Sequence, residues 1–203
     1  MKMVLATRNK SKVTELRAQL AGLDIEVLTL EDFPSLELPP ETGATFTENA
    51  LIKARFVASE TGLAALGDDS GLEVDYLGGR PGVFSSRYGG PDAGDVVNYM
   101  KLLAELRGVP EAQRGARFKC SLAFVAPGGE ERVFTASFDG YITERPRGEN
   151  GFGYDPVFFV TEKKKTAAEL TPREKNAISH RALALKKFRQ WFSGGGAENV
   201  APF

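Results

Sequence analysis

The chain has 203 residues, 42% hydrophobic, 26% charged and 10% aromatic, which are globular values that exclude a disordered or collagen-like chain. Its 26 Lys and Arg against 27 Asp and Glu give a formal net charge of −1, without the basic excess of a sequence-independent nucleic-acid binder. One cysteine, Cys120, and one histidine, His180, exclude an internal disulfide framework, a Cys-based zinc site and a two-His zinc motif.

No apolar run approaches membrane-spanning length, and the opening Met1–Ala6 turns polar at Thr7, too early for a signal peptide. The expectation is a cytoplasmic protein with neither membrane nor nucleic acid as partner. Lys2 to Ala6 reads as a short buried strand. Asn9 is an N-cap for a helix with Val13, Leu16 and Leu20 on one face and Gly22 as its stop. Ile25 to Leu28 reads as a second strand, and Phe33 to Gly43, with three prolines and a glycine, as a loop. Thr45-Phe46-Thr47-Glu48 is a capping box opening a helix to about Thr61. Leu63 to Gly67 reads as a strand ending at Asp68-Asp69, and Leu72 to Tyr76 as another.

Gly78 to Gly94 is a long irregular segment. Asp92 or Asp95 caps the next helix, with Val96, Tyr99, Met100, Leu103 and Leu106 expected on its buried side. Ala116 to Ala126 and Arg132 to Ile142 form a strand pair joined by a Pro127-Gly128-Gly129 hairpin turn. Gly148 to Gly153 is a glycine loop before a strand at Val157 to Val160. A helix starts after Thr171, with Pro172 first and Glu174 completing a capping box. Ser179 either breaks it into two helices or lies within one. Strands and helices mixed with a hairpin imply an α/β fold with a mixed sheet, residues 1–193 forming one domain and 194–203 a flexible glycine-rich tail.

Five stretches can carry chemistry. Thr7-Arg8-Asn9-Lys10-Ser11-Lys12 joins a buried strand to a helix start, where three cations oppose the helix dipole; a bound polyphosphate resolves that conflict, and solvated lysines around an Asn cap are the other reading. Asp68-Asp69-Ser70-Gly71 ends an apolar strand, where α/β proteins place ligands, or else is a turn. If the strand stays regular, only one of the two acids faces a given site. Lys53 lies on the apolar helix face of Phe46, Ala50 and Val57, so it needs a carboxylate such as Glu41, a phosphate, or a path for its tip to water. Gly151-Phe152-Gly153-Tyr154-Asp155-Pro156 lets a flat ligand approach Phe152, or is a tight turn with that ring in the core. Lys175 with Ser179-His180-Arg181 concentrates donors near a capped helix start, or is a solvated face beside a structural histidine.

Taken together and in order, Thr7-x-Asn9-x-x-Lys12, Thr45-Phe-x-Glu-Asn-Ala50, Asp68-Asp-Ser-Gly71, Phe152-Gly-Tyr-Asp-Pro156 and Ser179-His-Arg181 are specific. The chain closely resembles the Ham1 family of inosine triphosphate pyrophosphatases from Met1 to about Phe192. It departs at Arg8 and Asn150, where relatives often carry glycine. The resemblance implies an elongated, twisted mixed sheet flanked by helices, two lobes around a central cleft, and a homodimer. It implies Mg²⁺-dependent hydrolysis of ITP, dITP and XTP between the α and β phosphorus atoms, giving the monophosphate and pyrophosphate and clearing deaminated purines from the nucleotide pool.

Carried onto this sequence, the resemblance has Thr7, Arg8, Asn9, Lys10, Ser11 and Lys12 cradle the phosphates, with Lys12 and Lys53 neutralising charge on the transferring oxygens. Asp69 is the Mg²⁺ ligand and proton acceptor, Glu41 assists the metal, Asp68 positions Lys53 or the metal shell, and Ser70 contacts the substrate. Phe152 stacks on the base, Gly153, Tyr154 and Asp155 shape its pocket, and Lys175, His180 and Arg181 donate to base carbonyls. Two rivals remain: a Maf-type pyrophosphatase acting on pyrimidine or modified nucleotides, and a non-enzymatic nucleotide-sensing or nucleic-acid-binding module.

Overall fold

A computed structural model of the chain describes residues 1–196. Seven strands, β1 (Lys2–Ala6), β2 (Glu26–Thr29), β3 (Ala64–Val74), β4 (Gly115–Val125), β5 (Glu131–Ile142), β6 (Phe158–Val160) and β7 (Lys165–Thr166), form one sheet in the order β2-β1-β3-β4-β5-β6-β7. β1 pairs parallel with β2 and β3, while β6 pairs antiparallel with β5 and β7, so the sheet is mixed as expected. Among the described residues five α-helices accompany it: α1 (Lys10–Leu20), α2 (Phe46–Thr61), α3 (Asp95–Glu105), α4 (Pro172–Ile178) and α5 (His180–Trp191). Residues 197–203 of the expected tail lie outside the described residues, and Gly194 to Gly196 fall in the π-helical turn Phe192–Gly196.

The chain divides into two compact units. The first holds residues 1–69, 120–136 and 181–196. Strand β1 is apolar on both faces along Met3–Ala6, as a strand covered on both sides must be. Alternation sends Met3, Leu5 and Leu66 to the face packed by Leu16 and Leu20 of α1 and Leu185 and Phe188 of α5. Val4, Ala6 and Ala65 go to the other face, against Ala50, Ala54 and Val57 of α2. The second unit holds residues 70–119 and 137–180. Its core joins Leu72, Leu102, Leu106, Phe118, Ile142, Tyr154 and Phe158.

Three local expectations need correction. The two strands read on either side of Asp68-Asp69 are one continuous strand, β3, which runs extended through Ser70 and Gly71. The turn-forming residues there are overruled by tertiary pairing of both carboxylates. The buried face of α3 is Asn98 and Leu102, followed by Leu106, with Tyr99 and Leu103 packed beside the core, whereas Val96 and Met100 are 59% and 51% exposed. Asn98 is needed inside because its side chain accepts the Gly89 N–H and donates to the Ser86 and Ala93 carbonyls. The cap before α3 is Gly94, not an aspartate. The choice left open at Ser179 is decided for two helices: Ser179 caps α4 in extended backbone, and α5 follows it.

Candidate active site

Strand alternation decides the first half of the site. Asp68 shares the face of Leu66, toward α1 and α5; Asp69 shares that of Ala65, toward α2. The neighbouring carboxylates therefore meet different cations. Asp68 is fully buried and accepts from Arg181 of α5, with Nε to Oδ2 at 2.7 Å, and from Lys12 of α1, with Nζ to Oδ1 at 2.5 Å. Burial alone would raise its pKa, but these two cations hold it well below the ordinary carboxylate value. Arg181 is 1% exposed and also donates through Nη1 to Glu15 at 2.6 Å. Glu15 lies one helical turn after Lys12, a spacing that could have marked it in the sequence.

The guanidinium of Arg181, expected at a base carbonyl, holds two carboxylates in the first unit. Asp68 is expected to position Lys53 or the metal shell; Lys53 lies on the opposite side of β3 from it. Cys120 on β4 reaches Asp68 Oδ2 with its Sγ at 3.6 Å. Burial, reinforced by the Asp68 charge, pushes this thiol well above its ordinary pKa. Thiolate is the reactive form. The folded protein is therefore expected to take up no iodoacetamide at pH 8 over an hour, and the urea-unfolded chain one equivalent; rapid native labelling by mass spectrometry would contradict that packing.

Asp69 is 6% exposed and Lys53 of α2 is 5% exposed. Lys53 Nζ donates to Asp69 Oδ1 at 3.2 Å and to Glu41 Oε1 at 2.5 Å. Its tip is thus paired, not snorkelling to water. Burial lowers the affinity of the lysine for its proton, but Asp69 and Glu41 outweigh it and the pKa is raised. For Asp69 the balance runs the other way: burial raises its pKa and the lysines recover only part of that shift. Asp69 Oδ2 is buried and has no hydrogen-bond partner among the described residues. Two carboxylates accept from one ammonium, and one of them has a buried oxygen with no partner among the described residues; such an oxygen set suits a hard divalent cation, Mg²⁺ among them, which takes one or two carboxylates and leaves other positions to phosphates and water. Among the described residues no group of three His, Cys, Asp or Glu forms a closed metal cage.

The loop from β1 to α1 carries the remaining first-unit residues. Thr7 is buried and its Oγ1 accepts the Asn9 N–H. Asn9 caps α1, its Oδ1 accepting the Lys12 N–H at 3.1 Å. No acidic residue occupies the first turn, where Lys10 and Ser11 are exposed and Lys12 is half-buried. Arg8, also exposed, donates to the Leu36 carbonyl. Ser70 follows Asp69 in β3 and is half-buried.

The second unit gathers the residues expected around the base. Asp155, 2% exposed, accepts the Phe152 N–H at 2.9 Å and the Lys175 ammonium at 2.5 Å on Oδ2. Lys175 Nζ also lies 4.7 Å from the centroid of the half-buried Phe152 ring, a cation–π distance. Gly151 has φ 78°, and a Cβ there would run into the Asp155 carboxylate, so the loop requires glycine at this point. Asp95 at the start of α3 accepts the Gly153 N–H at 2.6 Å, a tie no local motif announced. The Tyr154 hydroxyl donates to the Ser85 carbonyl, so this tyrosine fixes the loop from inside. His180 is 6% exposed and stacks on Phe118 with centroids 4.9 Å apart.

The profile of the Ham1 family matches residues 3–191. The chain is 53% identical over 185 residues to a protein of Bacillus licheniformis named dITP/XTP pyrophosphatase, covering 91% of this chain and 94% of that one. It is 54% identical over 190 residues to the protein of the same name from Geobacillus kaustophilus, covering 93% of each. Among solved structures, a HAM1 protein from Coxiella burnetii superposes with a TM-score of 0.88 at 43% identity, covering 96% of this chain and 99% of that one.

Proposed function

The chain belongs to the Ham1 family, and on that premise we propose that it is a nucleotide pyrophosphatase that hydrolyses the non-canonical purine triphosphates ITP, dITP and XTP to the monophosphate and pyrophosphate. The observation that carries the reading is Asp69, a buried carboxylate with one oxygen on Lys53 and the other without a partner among the described residues. A water oxygen bonds to the α phosphorus, the bridging bond to the β phosphate breaks, and pyrophosphate leaves. Asp69 takes the proton of that water; burial raises its pKa, which favours proton uptake over a surface carboxylate. Lys53 and Lys12 meet the charge that builds on the phosphate oxygens, and the acid-free first turn of α1 adds its N–H groups. Glu41 and Asp69 would hold Mg²⁺, which supplies further positive charge to the triphosphate when bound.

Phe152 stacks on the base, with Lys175 and His180 as donors to its carbonyls. Hypoxanthine and xanthine carry an acceptor at C6 where adenine carries an amino group, and a donor left facing that group stays unpaired. Arg181 is assigned to Asp68 on the contacts it makes. The exposed Val96, Val97 and Met100 of α3, with Phe84 on the segment packed beside that helix, support a homodimer. A single buried thiol fits a reducing cytoplasm, and no described helix is long and apolar enough to cross a membrane.

The test is pyrophosphate release across ITP, dITP, XTP, ATP, GTP, dTTP and UTP, with Mg²⁺ and with chelator. Turnover of the three deaminated purines is expected, with ATP at least ~100-fold lower in kcat/KM and no release under chelation. Preference for dTTP or UTP would favour the Maf-type rival, and binding without release the sensing module.

A further inference from the structure

Glu41 reaches Lys53 from a loop that contains Pro39, Pro40 and Gly43, with no strand or helix of its own. A carboxylate on such a segment is held in one place only if the segment itself is tied down. Three consecutive backbone amides after Glu41 are tied to side chains of α2. Gly43 N–H donates to Asn49 Oδ1 at 2.8 Å, and Ala44 and Thr45 donate to Glu48 Oε2 at 2.6 and 3.2 Å. The Glu48 contacts belong to the capping box that any helix start can make. The Asn49 contact does not. Asn49 is fully buried, one turn before Lys53 on the same helix, and its Nδ2 has no hydrogen-bond partner among the described residues. An unpaired donor in the core costs stability, so nothing about the packing alone favours asparagine there. Gly43 is fitted to the same contact: a Cβ on it would lie 2.7 Å from Asn49 Oδ1 and 2.6 Å from Glu48 Cβ.

We propose that Asn49 is a positioning residue for the reaction, acting through Gly43 to set the loop that delivers Glu41 to Lys53 and Asp69. The inference rests on the pyrophosphatase reading for its kinetic consequence and on the loop geometry for its structural one, and the two are tested separately. Kinetically, Asn49→Ala is expected to lower kcat for ITP by ~10-fold or more, as loss of an outer support does at other sites, with KM for ITP within twofold. In a Glu41→Gln background the same substitution should cost less than a further twofold, because its effect passes through Glu41. Structurally, amide hydrogen exchange on the ligand-free protein should show Gly43 losing protection in Asn49→Ala and keeping it in Asn49→Asp, which retains the acceptor oxygen. Gly43→Ala breaks the contact from the loop side and should reproduce the kinetic loss if Asn49→Ala folds poorly. Full multiplication of the two losses in the double variant, or unchanged Gly43 exchange in Asn49→Ala, would overturn the proposal. A wild-type chain that releases no pyrophosphate would overturn the activity reading instead, and the exchange result would then decide the inference.

Discussion

Asp69→Asn is expected to lower kcat for pyrophosphate release from ITP by ~10³-fold or more, the combined scale of losing a general base and its charge in a water-poor site. The substitution keeps the shape of the side chain and one carbonyl oxygen for Lys53. It removes the proton acceptor and half of the carboxylate pair that faces that lysine. The fold should tolerate the change. Burial raises the pKa of Asp69, which means that the ionised form is disfavoured in the folded chain relative to the unfolded one. A neutral amide removes that penalty, so the melting temperature should stay at or above that of the wild type. Nucleotide binding should survive, since Lys12, Lys53 and the helix start remain. Stopped-flow turnover together with calorimetric binding of ITP checks both halves. A variant that retains a tenth of wild-type kcat would remove Asp69 from the role of base.

Much of this site can be read from the sequence because its signals are local. The capping boxes at Thr45 and Thr171 depend on residues three apart, and both form. The rule that neighbouring strand residues face opposite ways separates Asp68 from Asp69, and the fold obeys it. What the rule cannot supply is the identity of the helices on each side of β3. That depends on chain routing, and it makes Lys12 rather than Lys53 the lysine that holds Asp68. The contacts of Glu15, Asn49, Cys120 and Asp95 escape notice for the same reason, since each reaches a residue distant in sequence or loop backbone. Helix α3 fails differently. Val96 and Met100 offer an apolar stripe at helical spacing, and periodicity selects it. The buried side is set by Asn98, whose amide satisfies backbone groups of the preceding loop. The resemblance likewise supplied the Ser179-His180-Arg181 motif without its contacts. The buried pair of Arg181 with Asp68 is one such contact.

That pair should dominate the stability of the first unit. Arg181→Met is expected to destabilise the protein by about 3 kcal/mol, at the low end for breaking a buried ion pair because Lys12 still faces Asp68. For a chain of this size that corresponds to a fall in melting temperature of roughly 6–12 °C. The loss arises from the carboxylate left behind, which is fully buried, more than from the missing arginine. Removing that charge as well should recover part of it. The double variant Arg181→Met with Asp68→Asn is therefore expected to be more stable than the sum of the two single losses implies, by about 1 kcal/mol or more. Selectivity provides the independent check. If Arg181 acts on Asp68, the ratio of kcat/KM for ITP to that for ATP should change by less than threefold in Arg181→Met, although the absolute rate falls as Asp68 and the neighbouring Asp69 shift. If the guanidinium instead reads the base, that ratio should collapse toward unity while the melting temperature moves little. Thermal unfolding and the two-substrate comparison on the same preparation separate these outcomes.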